Sequence, residues 1–194
     1  MKSSYAPLAL LLPTLLIAGC AGPSGPKSSN AAYVVAALQP TSGNSTRGTV
    51  FFSQEGANIL VRGRVSGLKP NQEHGFHVHE KGDCSSPDAM SAGGHLNPDG
   101  KPHGPMHGPH HAGDLPALKA DANGNAQVNV RVAGTVLGAS PAAFAGKALI
   151  VHAMPDDYAT QPTGNSGARL ACGLISTVPG RDAAGNAVAL PTDR

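Results

Sequence analysis

Two histidines separated by a single residue, His77 and His79 in Gly75-Phe76-His77-Val78-His79-Glu80, constrain this chain more than any other feature. The surrounding residues read as a β-strand, and on a strand residues two apart share a face, so the segment aims two imidazoles at one point. Further along come His95, His103, His107, His110, His111 and Asp114, then His152 inside an apolar run that reads as another strand. Imidazole nitrogen suits copper, zinc, iron and nickel rather than magnesium or calcium. The donors outnumber what one ion needs, so the pattern points to more than one transition metal.

At 194 residues the chain has room for one domain, and a body of ~150 residues can bury close to 70% of its unfolded surface. Net charge is +2 with histidines neutral, and the Lys and Arg residues are scattered. That distribution offers no footprint for nucleic acid, and no nucleic-acid partner is expected. Residues 1–19 read as a signal peptide, with Lys2 as the positive n-region and Leu8 to Ala18 as the apolar core. Pro13 interrupts that core, which is shorter than the ~20 residues a spanning helix needs. Leu16-Ile17-Ala18-Gly19-Cys20 resembles the lipobox of bacterial lipoproteins, whose Cys becomes the lipidated first residue. Ordinary cleavage beside an incidental Cys is the competing reading. Three cysteines in an exported chain leave one odd thiol. If Cys20 is the odd one, Cys84 and Cys172 make a pair in an oxidising compartment, worth roughly 4–5 kcal/mol in the chain-entropy model. The location implied is the bacterial periplasm, with a lipid anchor to the membrane.

Residues 20–31 have the small, polar, Pro/Gly composition of a flexible tether. Short β-like runs follow at residues 33–38, 49–53, 59–65, 75–79, 115–120, 126–132, 148–151 and 170–175, separated by turn residues, and imply an all-β sandwich or barrel. Asn123-Gly124 supplies the positive φ of a tight hairpin between two of these runs. Residues 83–113 have no apolar periodicity and read as a long ordered loop, a kind of segment that is usually functional. Residues 179–194 read as a mobile tail.

Four motifs in order carry a family resemblance: residues 75–80, Ser91-Ala92-Gly93-Gly94-His95-Leu96-Asn97-Pro98, His111-Ala112-Gly113-Asp114-Leu115, and residues 164–173 around Arg169 and Cys172. Over residues 32–178 the chain resembles copper/zinc superoxide dismutases of the exported bacterial kind. The resemblance implies an eight-stranded Greek-key β-barrel with long metal-binding loops, and dismutation of superoxide to dioxygen and hydrogen peroxide. It implies that His77, His79, His95 and His152 hold copper, that His95, His103, His111 and Asp114 hold zinc, and that His95 bridges the two. Arg169 matches the family's anion-guiding arginine. Asp156 matches the carboxylate that links ligands of the two metals, here His77 and His103. No organic cofactor is implied, and a homodimer is compatible with the family.

Three departures limit the transfer. The spacing from His103 leaves His110 and His111 both open as zinc ligands, and His111 keeps the His-x-x-Asp pattern up to Asp114, with His110 expected in solvent. The segment from His152 to Arg169 carries only Asp156 and Asp157 as charges, so it lacks the Lys/Glu set of animal relatives. Cys84 lies farther before His95 than in those relatives. Two other classes compete: a periplasmic copper or zinc store without turnover, which loss of a copper ligand or of Arg169 would favour, and a metal-dependent hydrolase. Against the hydrolase, Glu80-Lys81-Gly82 follows the His-x-His pair where such sites set an Asp and a His. His74, His107 and His110 are candidates for weak extra metal or plain exposed polar residues.

Overall fold

The computed structural model describes Met1, residues 33–138 and residues 140–177. The expected tether and tail, and the expected signal peptide apart from Met1, lie outside the described residues. Among the described residues nine strands form, all antiparallel where they pair: β1 (Tyr33–Pro40), β2 (Arg47–Glu55), β3 (Asn58–Ser66), β4 (Glu73–His74), β5 (Phe76–His79), β6 (Leu118–Lys119), β7 (Ala126–Ala133), β8 (Ala148–His152) and β9 (Arg169–Thr177). Seven make one curled sheet in the order β5-β8-β9-β1-β2-β3-β7, and β4 pairs with β6. The chain crosses from β3 to the far edge at β5, and from β7 back to β8. Those crossings give the sheet its Greek-key character.

Period-two patterning builds the interior. Val34, Ala36 and Leu38 of β1, Val50 and Phe52 of β2, Ile59, Val61 and Val65 of β3, and Val128 and Val132 of β7 are buried in one apolar cluster. Between them Arg64, Gln127 and Asn129 point to solvent. β5 and β8 differ, because every residue in them is buried. Phe76, Val78, Leu149 and Val151 face the common core. The opposite face is covered by the loops that carry the remaining histidines.

Three local readings change. The run expected at 75–79 is broken by Gly75, where a side chain would collide with Ser166, so β4 and β5 are separate elements. The run expected at 115–120 shrinks to β6, because Pro116 has no N–H to donate and the Ala117 N–H donates to the Tyr158 hydroxyl. The Asn123-Gly124 turn forms, with Gly124 at φ 74 and Asp121 Oδ1 accepting the N–H groups of Asn123 and Asn125. It does not close a paired hairpin: β6 pairs with β4 while β7 pairs with β3.

Candidate metal centre

Strand parity sets the first donors. In β5 the apolar pair Phe76 and Val78 turns inward, which leaves His77 and His79 on the outer face, opposite Ile150 and Ala148 of β8. His152 ends β8 at a register irregularity beside Val151. The loop then pairs along the free edge of β5: the Leu96 N–H donates to the Val78 carbonyl and the Val78 N–H to the Gly113 carbonyl, both as ordinary backbone bonds. Bridges His79↔His95 and His77↔Asp114 bring the two loop donors alongside the strand donors. Covering this edge also removes an unpaired strand from solvent.

Two donor sets result, His77, His79, His95 and His152 in one and His95, His103, His111 and Asp114 in the other, all buried, with ligand atoms within 4.8 Å of one another in each set. His95 belongs to both. Hydrogen bonds to obligate acceptors fix the tautomers. His79 Nδ1–H donates to the Gly93 carbonyl (2.9 Å) and His152 Nδ1–H to the Gly167 carbonyl (3.2 Å), so their Nε2 atoms meet at 3.4 Å as two lone pairs. His77 Nε2–H donates to Asp156 Oδ2 (2.6 Å), which leaves its Nδ1 as a lone pair with no hydrogen-bond partner. His95 Nε2 is likewise buried and without a hydrogen-bond partner. Four nitrogens converge, two of them buried without a hydrogen-bond partner, which a cation would answer.

The second set shows the same logic. His103 Nε2–H donates to Asp156 Oδ1 (2.8 Å), so its Nδ1 lone pair faces Asp114 Oδ2 at 3.0 Å. His95 Nδ1 lies 2.9 Å from Asp114 Oδ1 and 3.4 Å from His111 Nδ1, and His111 Nδ1 is 3.4 Å from Asp114 Oδ1. Donors at about 2.0–2.1 Å from a tetrahedral centre stand about 3.4 Å apart along each edge, so these spacings fit a zinc-type ion. Asp156 joins the sets by holding His77 and His103 on its two oxygens, and its Oδ1 also accepts the Tyr158 N–H at 2.7 Å. Gly164 must be glycine here, since a Cβ would strike the Asp156 carboxylate.

Of the other candidates, His107 is exposed and His110 is half-buried, its Nδ1 bonding the Gly108 carbonyl at 2.7 Å. Neither joins a donor group among the described residues. His74 corrects the reading of an exposed polar residue: it is buried, and its Nδ1–H donates to the His152 carbonyl at 2.8 Å. It therefore anchors the backbone of a donor residue. Only its position before Gly75, at the strand break, could have pointed to that role.

The first set borders a cavity through His79 and His152. A cavity of about 640 Å3 is lined by His79, His152 and Arg169, with the Thr41–Asn44 loop and residues 87–90 at its rim. Arg169 is held there by two short bonds, Nη1 to the Ala89 carbonyl and Nη2 to the Gly93 carbonyl, both 2.6 Å. Those carbonyls belong to the loop that the Cys84–Cys172 disulfide (Cα–Cα 5.8 Å) ties to β9. Cys172 faces outward beside Ile150 and packs with Ala89 and Ala92. Replacing Cys84 or Cys172 by Ser should lower unfolding free energy by about 2–5 kcal/mol. Denaturant melts of both variants check this, and unchanged midpoints would contradict it.

Burial, reinforced by the neighbouring His95 and His152, holds His77 and His79 well below the ordinary imidazole range. Burial pushes His152 down to about 4. For His103 burial acts downward, but the hydrogen bond to Asp156 and the charge of Asp114 outweigh it and raise the pKa. Three donors of the first set are thus neutral, as ligation requires. Between the unfolded imidazole value of about 6.5 and the native His152 value of about 4, the unfolded chain binds protons that the native chain refuses. The metal-free protein should lose stability steadily as pH falls through that window, while metal-loaded protein resists it. Thermal melts from pH 7 to pH 4 would show this, and a flat metal-free profile would contradict it.

A curled antiparallel sheet whose outer face and loops build two adjoining donor sets around a shared imidazole defines a two-metal β-barrel protein. Residues 46–175 match the family model described as copper/zinc superoxide dismutase (SODC). Superoxide dismutase (Cu-Zn) 2 of Aquifex aeolicus (strain VF5) is 42% identical over 124 residues, covering 61% of this chain and 72% of that protein. Superoxide dismutase (Cu-Zn) 2 of Brassica juncea is 43% identical over 149 residues, covering 73% and 95%. The crystal structure of a SOD-like protein from Bacillus subtilis superposes with a TM-score of 0.65 at 38% identity, covering 72% of this chain and 95% of that one. The chain belongs to the copper/zinc superoxide dismutase family.

Proposed function

We propose that this chain is an exported, lipid-anchored superoxide dismutase that holds copper in the His77, His79, His95, His152 set and zinc in the His95, His103, His111, Asp114 set. The observation that carries the assignment is the different make-up of two sets sharing His95: the all-imidazole set borders the Arg169 cavity through His79 and His152, and the other set adds the Asp114 carboxylate. A closed N/O tetrahedron suits structural zinc, while a redox ion needs an open position.

Two superoxide anions and two protons become dioxygen and hydrogen peroxide. Copper, when bound, supplies the one-electron chemistry, oxidising one superoxide and reducing the next. The chain's own residues do the rest. Arg169, clamped to two carbonyls, keeps a fixed positive charge in the cavity that concentrates and orients a small anion. His95 Nε2, buried without a hydrogen-bond partner, would take up a proton for the second superoxide only when it is not bound to copper. Asp156 fixes the tautomers and orientations of His77 and His103. Loading the purified chain with both metals should give one copper and one zinc per chain and turnover of superoxide. Binding of both metals without turnover would favour a storage role.

Anchoring rests on the lipobox-like run before Cys20 and on the flexible composition of residues 20–31. The domain then stands in the periplasm on a membrane leash. Cys20→Ser should move the protein from the membrane to the soluble fraction without changing its metal content. A variant that stays with the membrane would remove the anchor from this account.

A further inference from the structure

The outer face of β1, β2, β3 and β7 carries a one-sided distribution of charge that the reaction does not use. Strand parity puts Arg47 of β2, Arg62 and Arg64 of β3 and Arg131 of β7 on this face, and Glu55 is the one acid in the four strands. Arg47, Arg64 and Arg131 are exposed and Arg62 is half-buried. The register sets them in a diagonal band: Arg131 stands opposite Leu60, Arg62 opposite Phe51, Arg64 opposite Thr49 and Arg47 opposite Ser66. Glu55 pairs with Arg131 at 3.1 Å, so four arginines against one glutamate leave the band at +3. Beside it the half-buried rings of Tyr33 and Phe51 meet edge to face, with centroids 6.1 Å apart.

Where the chain enters the sheet says what covers this face. Tyr33 is the first residue of β1 and follows Cys20 by 13 positions, over which the sequence carries Lys27 and no acid. A coil of that length and composition has a root-mean-square span of about 20 Å, so a lipid on Cys20 keeps the Tyr33 end of the sheet close to the bilayer. The metal donors lie across the core. Phe76, Val78, Leu149 and Val151 meet Val50, Phe52, Ile59 and Val61 in one cluster, and His77 and His79 stand on the far side of β5.

We propose that the face bearing Arg47, Arg62, Arg64 and Arg131 docks on anionic phospholipid headgroups of the membrane that holds the Cys20 lipid. Guanidinium groups bond phosphate oxygens in pairs, and each basic side chain near an anionic bilayer strengthens binding by about fivefold. Tyr33 adds an amphipathic ring of the kind that settles at headgroup level. The negative field of such a bilayer repels superoxide within roughly 10 Å of its surface, and docking by this face turns the Arg169 cavity away from it. The proposal rests on the lipid anchor at Cys20, and its test separates the two.

The lipidated full chain is placed in vesicles of phosphatidylcholine, alone or with about one-third phosphatidylglycerol, and treated with an arginine-selective dicarbonyl that mass spectrometry reads residue by residue. Arg47, Arg64 and Arg131 should react at least about fivefold more slowly in the anionic vesicles, while Arg169, on the metal side, reacts equally in both. Added salt should remove the protection. In parallel, the full chain with Cys20→Ser is sedimented with the same vesicles, with and without Arg47→Gln, Arg64→Gln and Arg131→Gln. Losing three charges should weaken binding to the anionic vesicles by at least about tenfold, with superoxide turnover in solution unchanged. Equal reactivity of the three arginines in both vesicles, or equal binding by the two chains, would overturn the docking face. Protection in neutral vesicles that grows with protein concentration would overturn it as well and give the face to a second copy of the chain. A chain with no lipid on Cys20 would instead overturn the anchor, and sedimentation would then decide the face alone.

Discussion

His152→Ala should cut superoxide turnover by at least about a hundredfold while leaving zinc content unchanged. His152 belongs to one donor set alone and lines the open cavity. Its Nε2 faces His79 Nε2 at 3.4 Å, so its removal takes away one of four converging lone pairs and opens the site to water. The alanine side chain is small enough to leave β8 intact, and the His152 carbonyl that accepts from His74 is a backbone group and remains. A hundredfold loss corresponds to about 2.7 kcal/mol in the barrier. Metal analysis beside the rate measurement decides the matter. Equal loss of copper and zinc would mean that the sets do not divide as assigned, and full activity would remove His152 from the site.

Part of the donor pattern was legible because its spacing is local, while the division of His95, His103, His111, Asp114 and His152 between two sets was implied only by the family resemblance. His77 and His79 follow from strand parity, and His111 and Asp114 sit in one short loop segment, so sequence distance stands in for spatial distance. Asp156 differs. Nothing in its own neighbourhood says that its two oxygens will hold His77 and His103, residues 79 and 53 positions away, and only the family motif pointed there. His74 was misjudged for a related reason: a histidine at the end of a short strand looks solvent-exposed until the His152 carbonyl, 78 residues later, closes over it.

The strand pattern was readable wherever one face is wet, as in β1, β2, β3 and β7, because alternation then appears in the residues. It blurred where both faces are covered or where backbone chemistry intervenes. Gly75 splits one expected strand through a close approach to Ser166, and Pro116 truncates another. The loop from 83 to 113 has no periodicity to read, since its order comes from elsewhere: the disulfide to β9, the Ser86 and Ser91 hydroxyls bonded at 3.1 Å, and backbone bonds to Val78.

Arg169→Glu should lower activity well over tenfold at low salt with copper and zinc content intact, a change of at least about 1.4 kcal/mol in effective barrier. The substitution reverses a charge that the structure places in the cavity beside His79 and His152, yet changes no residue of either donor set. Superoxide is a small anion, so a guanidinium raises its local concentration and a carboxylate lowers it. Both effects shrink as added salt shortens the screening length. Salt should therefore slow the parent and partly rescue the variant, an opposition of sign that structural damage alone would not produce. One complication is built into the fold, because Arg169 also clamps the Ala89 and Gly93 carbonyls. Arg169→Gln separates the roles: it removes the charge without reversing it and keeps an amide able to donate to one of those carbonyls. Its activity should fall between parent and Glu variant, with little response to salt. If Arg169→Glu keeps full activity at low salt with normal copper, the anion is drawn in by other charges, and the clamp on the disulfide loop is all that Arg169 contributes.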